Sequence, residues 1–337
     1  MTVPASPAAA DRTRQWEDWL ALRQEAVIDP ETAIVDPHHH LWDRGGHTYL
    51  PAQFAQDAAS HHLLASAYVE CLSQYRSSGA EHLRPVGETE FVAEQAAAFG
   101  QGIAAAIIAF ADLSLGGVVD AVLDAHADAA GGRLRGVRYS TAWDADPAIH
   151  AAYPTRPGML REPKVLAGAS RLGRRGLVFD AWAYFHQLGD VAHLALACPE
   201  LTVVVNHAGG VLGLGTYANQ RDEIFMQWRT ALQTLGPLPN VVLKFGGLAM
   251  PLAGFGWRKL PQPPSSSMLA NAWRPYFETC LEVFGVQRCM FESNFPVDRS
   301  GCSYTVLWNA FKRLAAPLSS DERAALCAGT ARRTYRL

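Results

Sequence analysis

Three histidines at the ends of apolar runs carry the clearest chemistry in this chain. The segment Ile34-Val35-Asp36-Pro37-His38-His39-His40-Leu41-Trp42 reads as a short strand that ends in a histidine cluster. Residues two apart on a strand project to the same side. His38 and His40 are therefore expected side by side at its C-terminal end, a spacing at which two imidazoles can share one metal ion or one substrate oxygen. His39 faces the other way and reads as structural. The run Thr202-Val203-Val204-Val205 leads into Asn206-His207-Ala208-Gly209-Gly210 and delivers His207 in the same manner. A further run, Arg288 to Phe291, continues as Glu292-Ser293-Asn294-Phe295-Pro296-Val297-Asp298, and alternation puts Glu292 and Asn294 on one face.

Other strand ends supply binding groups. Arg138 closes Gly136-Val137-Arg138-Tyr139-Ser140, and its planar fork suits a substrate carboxylate. Trp182, Tyr184 and His186 follow another run and could form a substrate wall. Lys244 lies in Leu243-Lys244-Phe245, where it could meet substrate or pair with Glu292 inside the fold. Each of these has a structural alternative: a core histidine, an internal ion pair or plain aromatic packing. The stretch Gly213-Leu214-Gly215-Thr216-Tyr217-Ala218 fits a dinucleotide-binding G-x-G-x-x-A pattern. It comes several residues after its strand and lacks the acidic partner, so it is read as a loop.

The elements that must hold these groups repeat. Short β-rich runs occur at 33–36, 67–71, 103–110, 134–139, 177–180, 201–206, 240–245 and 288–291. Stretches with helical spacing lie between most of them, among them 118–130, 191–198, 223–235, 275–284 and 304–314. Strands alternating with helices imply a parallel sheet, and chemistry at the ends of many strands favours a closed (β/α)8 TIM barrel over an open doubly wound sheet. Residues 1–12 are Ala/Pro/Ser-rich and expected to be disordered. Arg14 to Val27 has helical spacing, so 1–30 is read as an N-terminal extension with an amphipathic helix and 31–337 as the barrel domain. That helix would pack on the barrel or on a second copy, an arrangement compatible with a homodimer. Pro251 to Ser267 reads as a long loop, a lid or interface element.

Composition narrows the partners. With 29 Lys plus Arg against 32 Asp plus Glu, no basic field recommends nucleic acid or an anionic membrane, and a small-molecule substrate fits better. No run of about 18 apolar residues suggests a membrane span, and Met1 to Ala10 lacks a signal-peptide pattern, so a cytoplasmic location is expected. The six cysteines show no C-x-x-C spacing and read as free thiols.

Taken in order, Asp36-Pro37-His38-His39-His40-Leu41-Trp42-Asp43, Asn206-His207-Ala208-Gly209, Leu243-Lys244-Phe245-Gly246-Gly247-Leu248 and Glu292-Ser293-Asn294-Phe295-Pro296-Val297 resemble the amidohydrolase-related family. This branch of the metal-dependent hydrolase barrels includes 2-pyrone-4,6-dicarboxylate and sugar-acid lactonases, and the likeness runs from Ile34 to the C-terminus. It implies a barrel whose histidine pair, strand-six histidine and strand-eight aspartate surround a reacting carbonyl. Here Asn294 stands in the aspartate's place, and an amide can serve neither as general base nor as a charged metal ligand. The proton role then falls to Glu292 or to Asp298, the latter expected nearer solvent. The resemblance implies a lactone hydrolase acting on a ring with an anionic group, without an obligatory metal. Zinc on His38, His40 and His207 stays compatible with three neutral ligands. A decarboxylase and a non-catalytic binding protein are the alternatives.

Overall fold

The eight β-rich runs assemble into one eight-stranded sheet in which every neighbouring pair is parallel. In the computed structural model, which describes residues 15–44, 47–100, 102–149 and 152–337, the strands are β1 (Ala33–His39), β2 (His62–Val69), β3 (Ala106–Ala109), β4 (Leu134–Ser140), β5 (Val178–Trp182), β6 (Val203–Val205), β7 (Val241–Phe245) and β8 (Cys289–Phe291). The order β1 to β8 follows the chain. Closure comes just past β8, where the His40 N–H donates to the Phe295 carbonyl (2.7 Å) and the Asn294 N–H to the His38 carbonyl (2.8 Å). Helices such as Val86–Phe99, Arg221–Gln233, Ser266–Phe284 and Tyr304–Ala315 fill the connections. The fold is a TIM barrel.

Period-two alternation sorts the strand residues. Val35, Ala67, Val69, Ala106, Ile108, Val178, Val204 and Met290 pack together inside the barrel. Their neighbours Ile34, Tyr68, Ile107, Val137, Phe179, Val205, Leu243 and Phe291 join the larger core beneath the helices. β1 departs from strict alternation, and the departure matters. Ile34 packs in the outer core and Asp36 accepts from the Tyr304 hydroxyl (3.0 Å). A register shift between Asp36 and His39 then reverses the sense. His39 turns outward, stacks on Phe54 (centroids 4.2 Å apart) and bonds Ser66 Oγ, while His38 and His40 turn inward. Without that irregularity the two histidines would share the outward face of Ile34 and Asp36.

Of the helix expected over 14–27, residues 15–21 are helical and 22–27 run on without regular structure, while residues 1–14 lie outside the described residues. Trp19 Nε1 donates to the Leu260 carbonyl (3.0 Å), Arg23 to Pro263 (3.2 Å), and Glu25 takes the Ser266 N–H and the Asn309 amide. The extension thus lies against Pro251 to Ser267, which holds two short 3₁₀ turns before the Ser266–Phe284 helix begins. At the opposite end of the chain Tyr335 enters the barrel floor with Ala328 and Ala331. Among the described residues no helix is long and apolar enough to cross a membrane, and the six cysteines are free.

Candidate active site

Glu292 sits at the centre. Alternation along β8 puts Met290 inside and Phe291 outside, so the next residue faces in again. Its Oε1 accepts from the His207 backbone N–H (2.8 Å) and lies 2.8 Å from His207 Nδ1. Its Oε2 lies 2.7 Å from His38 Nδ1, within ion-pair distance but outside hydrogen-bond geometry, and the same nitrogen lies 3.5 Å from Lys244 Nζ. The carboxylate therefore stands between two imidazoles, whose ring centroids are 4.6 Å apart, and all three residues are buried. Burial, then the Lys244 charge, pushes His38 well below the ordinary histidine range, so the ring is neutral. A neutral ring with its proton on Nδ1, the side nearest the Glu292 carboxylate, leaves Nε2 as an acceptor for Arg138 Nη1, 3.4 Å away.

Local backbone makes room for this cluster. His207 has φ +54° and Ala208 φ +50°, a left-handed turn directly after β6 that swings the imidazole across the barrel mouth. A Cβ on Gly247 would fall 2.5 Å from that of His207, and one on Gly246 would collide with the Glu292 side chain. The Gly246-Gly247 pair after β7 is thus the space that His207 and Glu292 occupy.

Arg138 does not stand free to clamp a substrate anion. Its Nε donates to Glu70 Oε1 (2.7 Å) and its Nη2 to the Glu70 carbonyl oxygen, and both side chains are buried. Burial opposes the charge, but the Glu70 carboxylate outweighs it and raises the guanidinium's pKa. The Tyr153 hydroxyl closes the group, 2.6 and 2.7 Å from the two Glu70 oxygens. Sequence reading missed both partners. Glu70 had a signal, a carboxylate directly after the apolar strand β2. Tyr153, on the loop after β4, had none.

His40 is inward but not part of the Glu292 cluster. Its Nδ1 lies 2.7 Å from the Val69 carbonyl and its Nε2 3.2 Å from Asn294 Oδ1, and Asn294 Nδ2 lies 3.2 Å from Asp298 Oδ1. Burial, with Arg138 next, holds His40 well below its ordinary range. A neutral ring that gives its one proton to Val69 needs a donor at Nε2. The two ends of an amide are isosteric, so the network closes when Asn294 presents its NH₂ to His40 and its carbonyl to a protonated Asp298. Asp298 meets that demand, because burial raises its pKa well above the carboxylate range. Asn294 tolerates its φ of +53° as few other residues would. The expectation that Asp298 lies nearer solvent is corrected: it is wholly buried, because the chain turns back beneath the strand-eight end.

The remaining residues divide. Trp182 crosses His207 edge to face (4.7 Å) and Tyr184 in turn crosses Trp182 (5.6 Å), though Tyr184 is buried. His186 lies farther out, paired with Asp144 (2.9 Å), which also accepts from the Tyr217 hydroxyl. Tyr217 belongs to the G-x-G-x-x-A stretch, which forms a loop with one 3₁₀ turn. Lys244 does not pair with Glu292. Its Nζ donates to Asp180 Oδ2 (2.6 Å) and the Pro37 carbonyl (2.9 Å), and Tyr335 and Asn206 complete the Asp180 shell, so it forms a buried ion pair directly beneath His38, whose Nδ1 lies 3.5 Å from Nζ.

The fold gathers these imidazoles and carboxylates at the C-terminal ends of its parallel strands, the end at which barrel enzymes carry their active sites. The chain belongs to the amidohydrolase family, whose sequence profile matches residues 35–337, and it is a hydrolase of that superfamily. It is 31% identical to the uncharacterized protein y4mH of Sinorhizobium fredii over 91% of this chain and 99% of that protein. It is 28% identical to the L-fucono-1,5-lactonase of Burkholderia multivorans over 90% of this chain and 96% of that enzyme. An amidohydrolase of Burkholderia multivorans has been solved with bound HEPES (28% identity, TM-score 0.72) and with bound zinc (27%, 0.71), each covering 90% of this chain and 99% of its own. The donor set here also suits a metal. One ligand atom from each of His38, His207 and Glu292 lies within 4.8 Å of the others, and the Glu292 carboxylate supplies charge that no cation answers directly. Asn294 and His40 lie outside that set.

Proposed function

We propose that this hydrolase opens a lactone and that His38, His207, Glu292 and Arg138 form its reacting centre. The observation that carries the reading is the Glu292 carboxylate held between His38 and His207 at the mouth end of the barrel. His207 has its Nδ1 proton on Glu292, so Nε2 can accept a proton from a water molecule, and Glu292 steadies the resulting imidazolium. Arg138 Nη1 donates to the carbonyl oxygen as negative charge develops there. The water oxygen bonds to the carbonyl carbon, the ring C–O bond breaks, and His207 returns its proton to the departing ring oxygen, giving a hydroxy acid. A divalent cation held by His38, His207 and Glu292 would supply Lewis-acid polarisation of the same carbonyl. We infer that no metal is obligatory, because His38 Nε2 faces Arg138, His38 Nδ1 faces Lys244 Nζ and His207 Nδ1 faces Glu292.

The charge inventory favours an uncharged ring over an anionic one. Arg138 is answered by Glu70 and Lys244 by Asp180, which leaves no spare cation in the cluster to hold a carboxylate. Trp182, beside His207, gives such a ring an apolar wall. His40, Asn294 and Asp298 support the mouth from the β1 and β8 sides, and His186 and Tyr184 lie toward its rim. The test is a pH-stat assay of the purified protein on a panel of neutral and carboxylated lactones, with elemental analysis and a chelator arm. Neutral lactones should be opened, with proton release that survives chelation. Opening of none, with or without added zinc, would overturn the lactonase reading. Activity that dies with chelation and returns with zinc would overturn the metal-independent one.

A further inference from the structure

The Arg138 guanidinium has five N–H donors, and the protein fixes most of them. Nε and Nη2 are taken by Glu70, Nη2 also lies 3.3 Å from the Tyr153 oxygen, and one Nη1 donor faces His38 Nε2 at 3.4 Å. The second Nη1 donor has no acceptor among the described residues, although Arg138 is buried. A buried, unspent charged donor beside a reacting imidazole is an uncommon arrangement. We propose that Glu70 and Tyr153 are positioning residues that aim this Nη1–H into the reacting centre, with Arg138 the catalytic residue that touches the substrate oxygen.

Two features support a device rather than a simple ion pair. Glu70 engages Arg138 twice, through its carboxylate and its own backbone carbonyl, so the fork is gripped on its Nε/Nη2 edge and the opposite corner is left forward. Tyr153 then contacts both oxygens of that carboxylate and stacks on Phe110 (6.1 Å), fixing Glu70 from the outside. If Arg138 served only to neutralise Glu70, a second anchor on the carboxylate and an unspent donor would be superfluous. The loop carrying Tyr153 also carries Asp144, tied to His186 and Tyr217, so the loops after β4, β5 and β6 are braced together while Tyr153 is held in place.

The inference rests on the lactonase reading, so its test keeps one readout that does not need turnover. Tyr153→Phe and Glu70→Gln are compared with wild type in the full chain, by kcat and KM on a lactone that wild type opens. The Arg138 Nε–H resonance, assigned by its loss in Arg138→Lys, is followed in ¹⁵N-arginine-labelled protein. The expected result for Tyr153→Phe is a kcat lower by on the order of 10-fold with KM within about twofold, the scale of one lost hydrogen bond to a charged group. The Nε–H should exchange faster with solvent in both variants, and added methylguanidinium should restore part of the activity of Arg138→Ala. A Tyr153→Phe protein with unchanged kcat and a protected Nε–H would overturn the proposal. So would a fall in Tm without change in kcat. If wild type opens no lactone, the lactonase reading fails by itself, and the proton-exchange comparison still decides whether Tyr153 and Glu70 hold the guanidinium.

Discussion

Replacing Glu292 by Gln tests the centre of the site with almost no change in shape. The glutamine oxygen can keep both contacts to His207, its backbone N–H and its Nδ1, each at 2.8 Å in the wild type. Its NH₂ group must then face His38 Nδ1 across the 2.7 Å now spanned by carboxylate and imidazole. Two donors cannot share that gap. His38 would have to move its proton to Nε2, where it meets Arg138 Nη1 at 3.4 Å, or rotate out of the cluster. One buried charge-assisted contact is lost either way, at about 1.5–3 kcal/mol, which entropy scaling for a chain this long converts to a Tm drop of only roughly 2–4 °C. The rate should suffer far more. Without the carboxylate nothing stabilises the His207 imidazolium, and the loss expected for a disabled general base is about 10²- to 10⁴-fold in kcat. Calorimetry and a pH-stat assay on the same preparation separate the two effects. A kcat within threefold of wild type would refute the reasoning, because Glu292 would then be a packing residue and the histidines would act without it.

Glu88 tests a second buried carboxylate, away from the chemistry. Burial, then the Glu70 charge, raises its pKa from 4.5 to about 7, and it accepts from the Tyr68 hydroxyl and the Cys71 and Ser73 N–H groups. A raised pKa contributes stability below pH 4.5 that is lost as pH climbs through 7, on the order of 3 kcal/mol for a shift of this size. Glu88→Gln keeps an acceptor oxygen, so its urea midpoint should gain on wild type between pH 4.5 and 8; parallel pH profiles would show that Glu88 titrates normally. Gly247→Ala should cost on the order of 10²-fold in kcat, because its Cβ at φ +72° would push on His207. An alanine variant with wild-type turnover would mean that His207 is not held in the position described.

What the sequence revealed and what it hid follow from one physical distinction. Strand-end residues were legible because each closes a strand at the same end of a parallel barrel: His38, Arg138, His207 and Glu292 all arrive at one centre from four strands. Contacts that depend on local irregularity were not. The β1 register shift, which turns His38 and His40 inward, leaves no mark in a pattern of apolar and polar residues. The pairing of carboxylates with cations was equally open, since Arg138 and Lys244 each had several acids within plausible reach and only the assembled barrel shows them spent on Glu70 and Asp180. That pairing has the largest functional consequence. Read as free groups, Arg138 and Lys244 call for an anionic substrate; read as neutralised pairs, they leave Glu292 as the carboxylate that no cation answers directly and support the proposed neutral ring. The substitution of Asn294 for the expected aspartate fits the same logic. A further carboxylate between Glu292 and Asp298 would add charge to a cluster with no cation to spare, whereas the amide joins a neutral His40 to a protonated Asp298 at no electrostatic cost.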